Sequence, residues 1–470
     1  MSQIQPHSID EDALKVVRRL QTHGHKAYLV GGCVRDLLLE TTPKDFDVAT
    51  SATPSQVKRL FRNCRIIGRR FRLAHIIFKG RKIIETATFR AMPQRDEARD
   101  GEEMIIWRDN EFGTEEEDAH RRDFTINGLF YDPVAREVID HVGGVDDVKR
   151  RVIRTIGDPR IRMQEDPVRI LRAIKFASRL DLEISQSTAR AMIEFRGTIA
   201  SCAVARVLEE ILRMLGSGKA NMAFSLLHRY GALAVLFPEL SALLPEPRSL
   251  KAREPVLALR HKGDQWWGPR EVKGKATDPE TLLKIQQERL TGLTGMLLGE
   301  DQTTLRGAGK TLMPLLERLD LIAPELERPY CHALMLSVAL APLASRILDD
   351  TVPQHESLEQ LEELIQAVCS RLCVSRRDRQ LLGSILSSQL RMTKPGKRSR
   401  PRALVQREYF SDALRLLTLR HQVSGLYEKE VEKWTQLGSS EAPPERHPGK
   451  RRRRRRPRRR RPPTENGGES

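Results

Sequence analysis

Apolar residues at Leu14, Val17 and Leu20 recur with helical spacing, and they predict a short amphipathic helix over residues 11–23 that ends at Gly24. AYLVGG (27–32) reads as a strand running into a glycine turn, and VRDLLLE as the helix that follows. FDVAT (46–50) is strand-like and Pro54 to Phe61 helical. The stretch RIIGRRFRLAHIIFKGRKIIETATFR alternates as two or three strands with a turn at Lys79-Gly80. From about residue 160 the period changes. PVRILRAIKFASRL, ARVLEEILRMLGSG, AFSLLHRYGALAVLF and LEQLEELIQAVCSRL all carry helical periodicity. The polar, Pro- and Gly-rich run at 245–285, with Trp266 and Trp267, reads as an exposed excursion between helical units, and the two tryptophans as a local packing anchor.

The predicted fold is therefore α+β: a small mixed-sheet head followed by an all-helical body and a disordered, Arg-rich tail. Boundaries are expected at 1–157 for the head, 158–240 for a helical neck, 241–437 for a helical C-terminal domain, and 438–470 for the tail.

Composition narrows the function classes. Hydrophobic residues make up 39 % of 470, and no apolar run approaches the ~20 residues that a membrane helix needs. Acidic residues stand near the N-terminus where a signal peptide would carry its apolar core, so a soluble, cytoplasmic protein is expected. The six cysteines include no Cys-x-x-Cys pair, which argues against a zinc or disulfide framework. Net charge is +18, but KRRRRRRPRRRRPP (450–463) holds +11 of it, leaving a mildly basic bulk. Such a tail suits a polyanion, because each phosphate neutralised releases counterions.

The candidate chemistry begins with Asp45 and Asp47. Two residues apart on a strand, their carboxylates share one face and can hold two Mg2+ ions, which would activate a 3′-hydroxyl and bridge triphosphate oxygens. Alone, a D-x-D is more often plain surface. Here Gly31-Gly32 precedes it at a strand-to-helix turn suited to phosphate, with Arg35 one turn into the helix. Further along, Asp166, Arg169, Arg172 and Lys175 recur every three residues as one polar helix strip opposite Val168, Leu171 and Ile174; Asp166 and Pro167 also suit an N-cap and first helical position.

GGCVRDLLLETTPKDFDVAT resembles the signature of the class II nucleotidyltransferases, the bacterial poly(A) polymerases and tRNA CCA-adding enzymes. IIETATFR (83–90), RRDFTINGLFYDP (121–133), VIRTIGDP (152–159) and EDPVRILRAIKFASRL (165–180) follow in the family's order. The resemblance implies that Asp45 and Asp47 bind Mg2+ and that a third carboxylate joins them. Glu85 is the choice if its strand neighbours the D-x-D strand; Asp123, flanked by Arg121 and Arg122, is the other. It further implies that Arg122 contacts the triphosphate or ribose of ATP, with Asn127 nearby, and that Asp166 and Arg169 read the incoming base. Lys175 stands where many relatives have Arg, and Gly128 where they have Ala or Ser.

IIGRRFRLAHIIF (66–78) resembles the pattern that marks the poly(A) polymerases, and a basic patch at 391–402 and the arginine tail point the same way. The expected activity is addition of AMP from ATP to single-stranded RNA 3′ ends without a template, promoting RNA decay. RNA-degradation machinery or an RNA chaperone is the expected partner of the tail. A tRNA CCA-adding enzyme is the alternative.

Overall fold

The computed structural model describes residues 4–68, 72–91, 111–245, 247, 302–326, 331–348, 353–394 and 400–440. Arg69 and Arg70, most of the 245–285 excursion with its tryptophans, part of the 391–402 patch and the arginine run lie outside the described residues.

Helix α1 (Glu11–Thr22) starts where Asp10 accepts the amides of Asp12 at 2.9 Å and Ala13 at 3.1 Å, and it buries Ala13, Val16, Val17 and Leu20. It leads into β1 (Ala27–Val30), α2 (Gly32–Leu38) and β2 (Asp47–Thr50). A Thr53/Gln56 capping box opens α3 (Pro54–Leu60). Three strands follow, β3 (Cys64–Ile67), β4 (Leu73–Ile77) and β5 (Ile83–Thr88), then α4 (Glu115–Arg121), β6 (Leu129–Asp132), β7 (Glu137–Asp140) and α5 (Gly144–Lys149).

The seven strands form one sheet in the order β3-β4-β5-β2-β1-β6-β7. All neighbours are antiparallel except β2 and β5, whose parallel pairing needs the long crossover that α3 and the β3–β4 hairpin supply. Period-2 alternation sorts the faces: Leu29 and Val48 enter the main core beneath α1 to α3, while Tyr28, Val30, Ala49 and Phe130 pack with Phe89 and Ala119 on the other side.

The rest is helical apart from a two-strand pair at Val152–Ile153 and Glu183–Ile184. In order come α6 (Pro159–Glu165), α7 (Val168–Leu180), α8 (Gln186–Phe195), α9 (Val204–Leu215), α10 (Ala220–Arg229), α11 (Ala232–Leu236) and α12 (Pro238–Ser241). The body continues with α13 (Gln302–Ile322), α14 (His332–Ile347), α15 (Gln354–Arg371), α16 (Arg376–Thr393), α17 (Pro401–Val405), α18 (Phe410–Ser424) and α19 (Glu428–Ser440). AFSLLHRYGALAVLF, one periodic run in sequence, is two helices, because Gly231 takes φ 76° and turns the chain between α10 and α11.

One hydrophobic cluster runs from Ile4 of the head to Leu419 of α18. A smaller one at the far end closes around Trp434, whose indole N–H donates to the Met392 carbonyl at 3.0 Å. Among the described residues no helix is long and apolar enough to cross a membrane.

Candidate active site

The chain between α2 and β2 is anchored on alternate sides. Pro43 is buried and Phe46 packs onto the core, so Lys44, Asp45 and Asp47 are left exposed. All three line a cleft of ≈ 1510 Å3 that runs from the sheet to the helical body. Asp45 lies just before the strand rather than within it, yet the two-residue spacing still brings both carboxylates to the cleft.

In register, Asp47 stands opposite Val30 of β1 and opposite Glu85 of β5. The expectation that Glu85 sits on the strand beside Asp47 therefore matches the sheet. Glu85 is also 3.5 Å from His75 Nε2 on β4. Gly31 adopts φ 72° at the turn into α2, a conformation that favours glycine, and a Cβ there would come 3.0 Å from an Arg122 nitrogen.

The Asp47 carboxyl is pushed up to about 6, by desolvation among the surrounding protein atoms first and by Glu85 and Asp45 besides, with Arg122 opposing. That surplus of negative charge is an environment made for a cation. Among the described residues no ready-made group of three or more His, Cys, Asp or Glu encloses a metal. One or two carboxylates with open space beside them is the arrangement that suits Mg2+ arriving with phosphate oxygens, since that ion seldom uses an all-protein cage.

The shift has a sign that can be tested. Asp47 has its ordinary value of 3.8 when unfolded and about 6 when folded, so the fold favours the protonated form. That contribution is complete below about pH 4 and is lost as the pH rises through about 6, above which the ionised group costs stability in the metal-free protein. In EDTA, Asp47→Asn should melt higher than the parent at neutral pH, and the difference should shrink as the pH falls toward about 4. Thermal melts across that range check it.

Behind the aspartates runs a chain of buried charges. Arg35, 2 % exposed, donates to Asp36 at 2.8 and 2.6 Å and to Asn127 Oδ1 at 2.6 Å. Asn127 donates to Asp123 at 3.1 Å, and Arg172 of α7 donates to the other Asp123 oxygen at 2.8 Å. Arg172 also lies 3.6 Å from Glu210 of α9, which pairs with Lys175 at 2.6 Å. Burial raises the Asp123 carboxyl, but Arg172, Asn127 and the Phe124 amide outweigh it and hold the group below its usual range. Burial likewise lowers Lys175, with Glu210 opposing.

Arg35 lines the cleft beside the Gly31-Gly32 turn and is hydrogen-bonded to Asp36 and Asn127. Asp123 is kept ionised by Arg172, 49 residues away, and not by Arg121 or Arg122; Arg122 pairs with Asp118 at 2.8 Å. Both Asp123 oxygens are engaged in the link between head and α7, and Asp123 lines the cleft, while Glu85 stands beside Asp47 in the sheet.

Asp166, Arg169, Arg172 and Lys175 all line the cleft. Asp166 is not an N-cap: Pro167 occupies that position, and both Asp166 oxygens accept from Arg206 of α9, at 3.0 and 2.7 Å. Arg169 donates to the Arg162 carbonyl at 2.6 Å and lies 3.2 Å from Glu165. Arg162 in turn donates to the carbonyls of Arg121 and Arg122 at 2.7 and 2.6 Å, tying α6 to the RRD segment. Lys44, Arg162, Arg206 and Glu210 are the residues that sequence reasoning missed. The signal available for the last two was the charged set Arg206, Glu209, Glu210 and Arg213 on a helix whose remaining positions are apolar.

Residues 27–154 match the family model for the poly A polymerase head domain, 181–244 that for the probable RNA and SrmB-binding site of polymerase A, and 351–465 that for the polymerase A arginine-rich C-terminus. The chain is 37 % identical over 445 residues to poly(A) polymerase I of Salmonella typhimurium, covering 93 % of this chain and 84 % of that one. It is 35 % identical over 253 residues to a CCA-adding enzyme of Geobacillus stearothermophilus, covering 54 % and 61 %. A solved tRNA nucleotidyltransferase, complexed with a primer tRNA and an incoming ATP analog, shares the fold with a TM-score of 0.51 at 21 % identity, over 90 % of this chain and 98 % of that one.

Proposed function

The chain belongs to the bacterial poly(A) polymerase family, and on that premise we propose that its cleft adds AMP from ATP to the 3′ ends of RNA without a nucleic-acid template, releasing pyrophosphate. The observation that carries this reading is the convergence of Asp45 and Asp47 from the head with the Asp166–Lys175 strip of α7 on one cleft. Acid residues suited to cations and a polar helix strip suited to a base edge line the same space.

Asp45 and Asp47 would hold Mg2+, with Asp123 or Glu85 as the third carboxylate; the ion, when bound, supplies Lewis-acid polarisation of phosphate oxygens and lowers the pKa of the attacking hydroxyl. Gly31 and Gly32 leave the turn open for phosphate, and Arg122, held over the Phe130 ring at 5.5 Å, is oriented toward the triphosphate or ribose. Asp166 accepts from, and Arg169 donates to, the edge of the incoming adenine, so the protein itself acts as template. Asp123 and Arg172 fix α7 against the head, Lys175 and Glu210 fix it against α9, and Arg35 and Asn127 extend the brace to α2. A boundary near residue 157 separates head from neck in this scheme, one near 240 separates neck from body, and 438–470 form a basic RNA-binding tail.

Purified protein given a short RNA and one nucleotide at a time tests the proposal. ATP alone should give long tails, while GTP and UTP give none. Extension that halts after C, C and A would instead assign the CCA-adding activity.

A further inference from the structure

Nine Lys and Arg side chains line the cleft, and eight of them lie 3.3 Å or less from a carboxylate of the protein itself. Six of those pairs are described above; Arg179 with Asp36 and Arg213 with Glu209 complete the set. The ninth is Lys44. Among the described residues it has no ion pair, hydrogen bond or ring partner, and none joins it to the adjacent Asp45.

Its placement is not that of an idle surface lysine. Buried Pro43 and the core contact of Phe46 fix the backbone on both sides, so the ammonium is tethered at the cleft beside the two aspartates. Each of the other cleft cations already has a carboxylate of the protein within reach, and an anion entering here meets in Lys44 a cation with all three donors uncommitted. A lysine ammonium is a compact point charge that suits phosphate oxygens in varied geometry.

We propose that Lys44 is a phosphate-binding residue of the transfer site, contacting a phosphate group brought in by the substrates. The inference rests on the nucleotidyl-transfer reading of the cleft. The phosphate has two sources, the nucleotide triphosphate and the backbone of the RNA 3′ end, and one experiment separates them.

Lys44→Ala and Lys44→Arg are made in the full chain; Lys44 is exposed and unpaired, so neither substitution removes a contact that the fold uses. Equilibrium binding of ATP and of a short RNA is measured separately in the presence of Mg2+, alongside KM and kcat. Lys44→Ala should weaken one of the two by about 10- to 100-fold, the size of a lost charge-assisted contact, and Lys44→Arg should restore most of it. Weakened ATP binding with RNA unchanged assigns the triphosphate. Weakened RNA binding, with a salt slope reduced by about one, assigns the RNA backbone. Unchanged binding of both ligands together with unchanged KM values overturns the proposal. Binding is read without turnover, so a parent enzyme that extends no primer would sink the reading of the reaction while the Lys44 result still stands or falls by itself.

Discussion

Asp45→Ala and Asp47→Ala each lower AMP incorporation by about three orders of magnitude or more, about 4 kcal/mol of transition-state stabilisation, while RNA binding stays close to that of the parent. The asymmetry follows from where the charges sit. Both carboxylates open on the cleft and take no part in the buried network that joins head to helices, so their loss leaves the packing intact. Asp47 is the more telling of the two. Its carboxyl is held high by desolvation first and by Glu85 and Asp45 besides, so in the metal-free protein its removal should stabilise the fold even as it ends catalysis. Single-turnover primer extension, RNA gel shift and thermal melts on the same preparations make the check. Incorporation at the parental rate in either variant would remove that aspartate from the site.

Arg371→Ala destabilises the helical body by about 3–5 kcal/mol, the largest stability effect expected here. Arg371 closes α15 and pairs with Glu239 of α12 through two bonds, one at 2.8 Å, and also donates to the Leu236 carbonyl at 3.3 Å. The side chains are 4 % and 0 % exposed. Removing the guanidinium strands a carboxylate where water cannot reach it, and the cost is the desolvation of that lone charge rather than the loss of an attraction. The double variant Arg371→Met/Glu239→Leu should therefore recover most of the loss, because it removes both charges and keeps apolar volume. Urea denaturation of the two single variants and the double decides it. A double variant less stable than either single one would show that the pair contributes more than the charges it neutralises.

How much of this was legible beforehand depends on the distance over which each feature acts. The strand-turn-helix around Gly31, the exposure of Asp45 and Asp47, and the helices α1, α7, α9 and α15 follow from local spacing, because strand and helix periods express burial on one face directly. The adjacency of Glu85 to Asp47 was half legible: each segment reads as a strand, and only the parallel β2–β5 register places the two residues side by side. The roles given to Arg35, Asp123 and Asp166 were less so. Sequence spacing points each of them to a neighbour or to substrate, while the fold gives them Asn127, Arg172 and Arg206, 92, 49 and 40 residues away.

The amino-acid sequence by itself determined the family, the mixed-sheet head with its helical body, and the residues that carry charge to the site. These depend on residue type and on contacts within a few positions. Only the tertiary structure decided which of those charges are spent on one another and which remain for a substrate. Periodicity carries no record of which distant helix face will meet which loop, and a charge is neutralised by whatever lies within about 4 Å, however far along the chain. That distinction gives Asp123 its partners in Asn127 and Arg172, and it singles out Lys44 at the cleft.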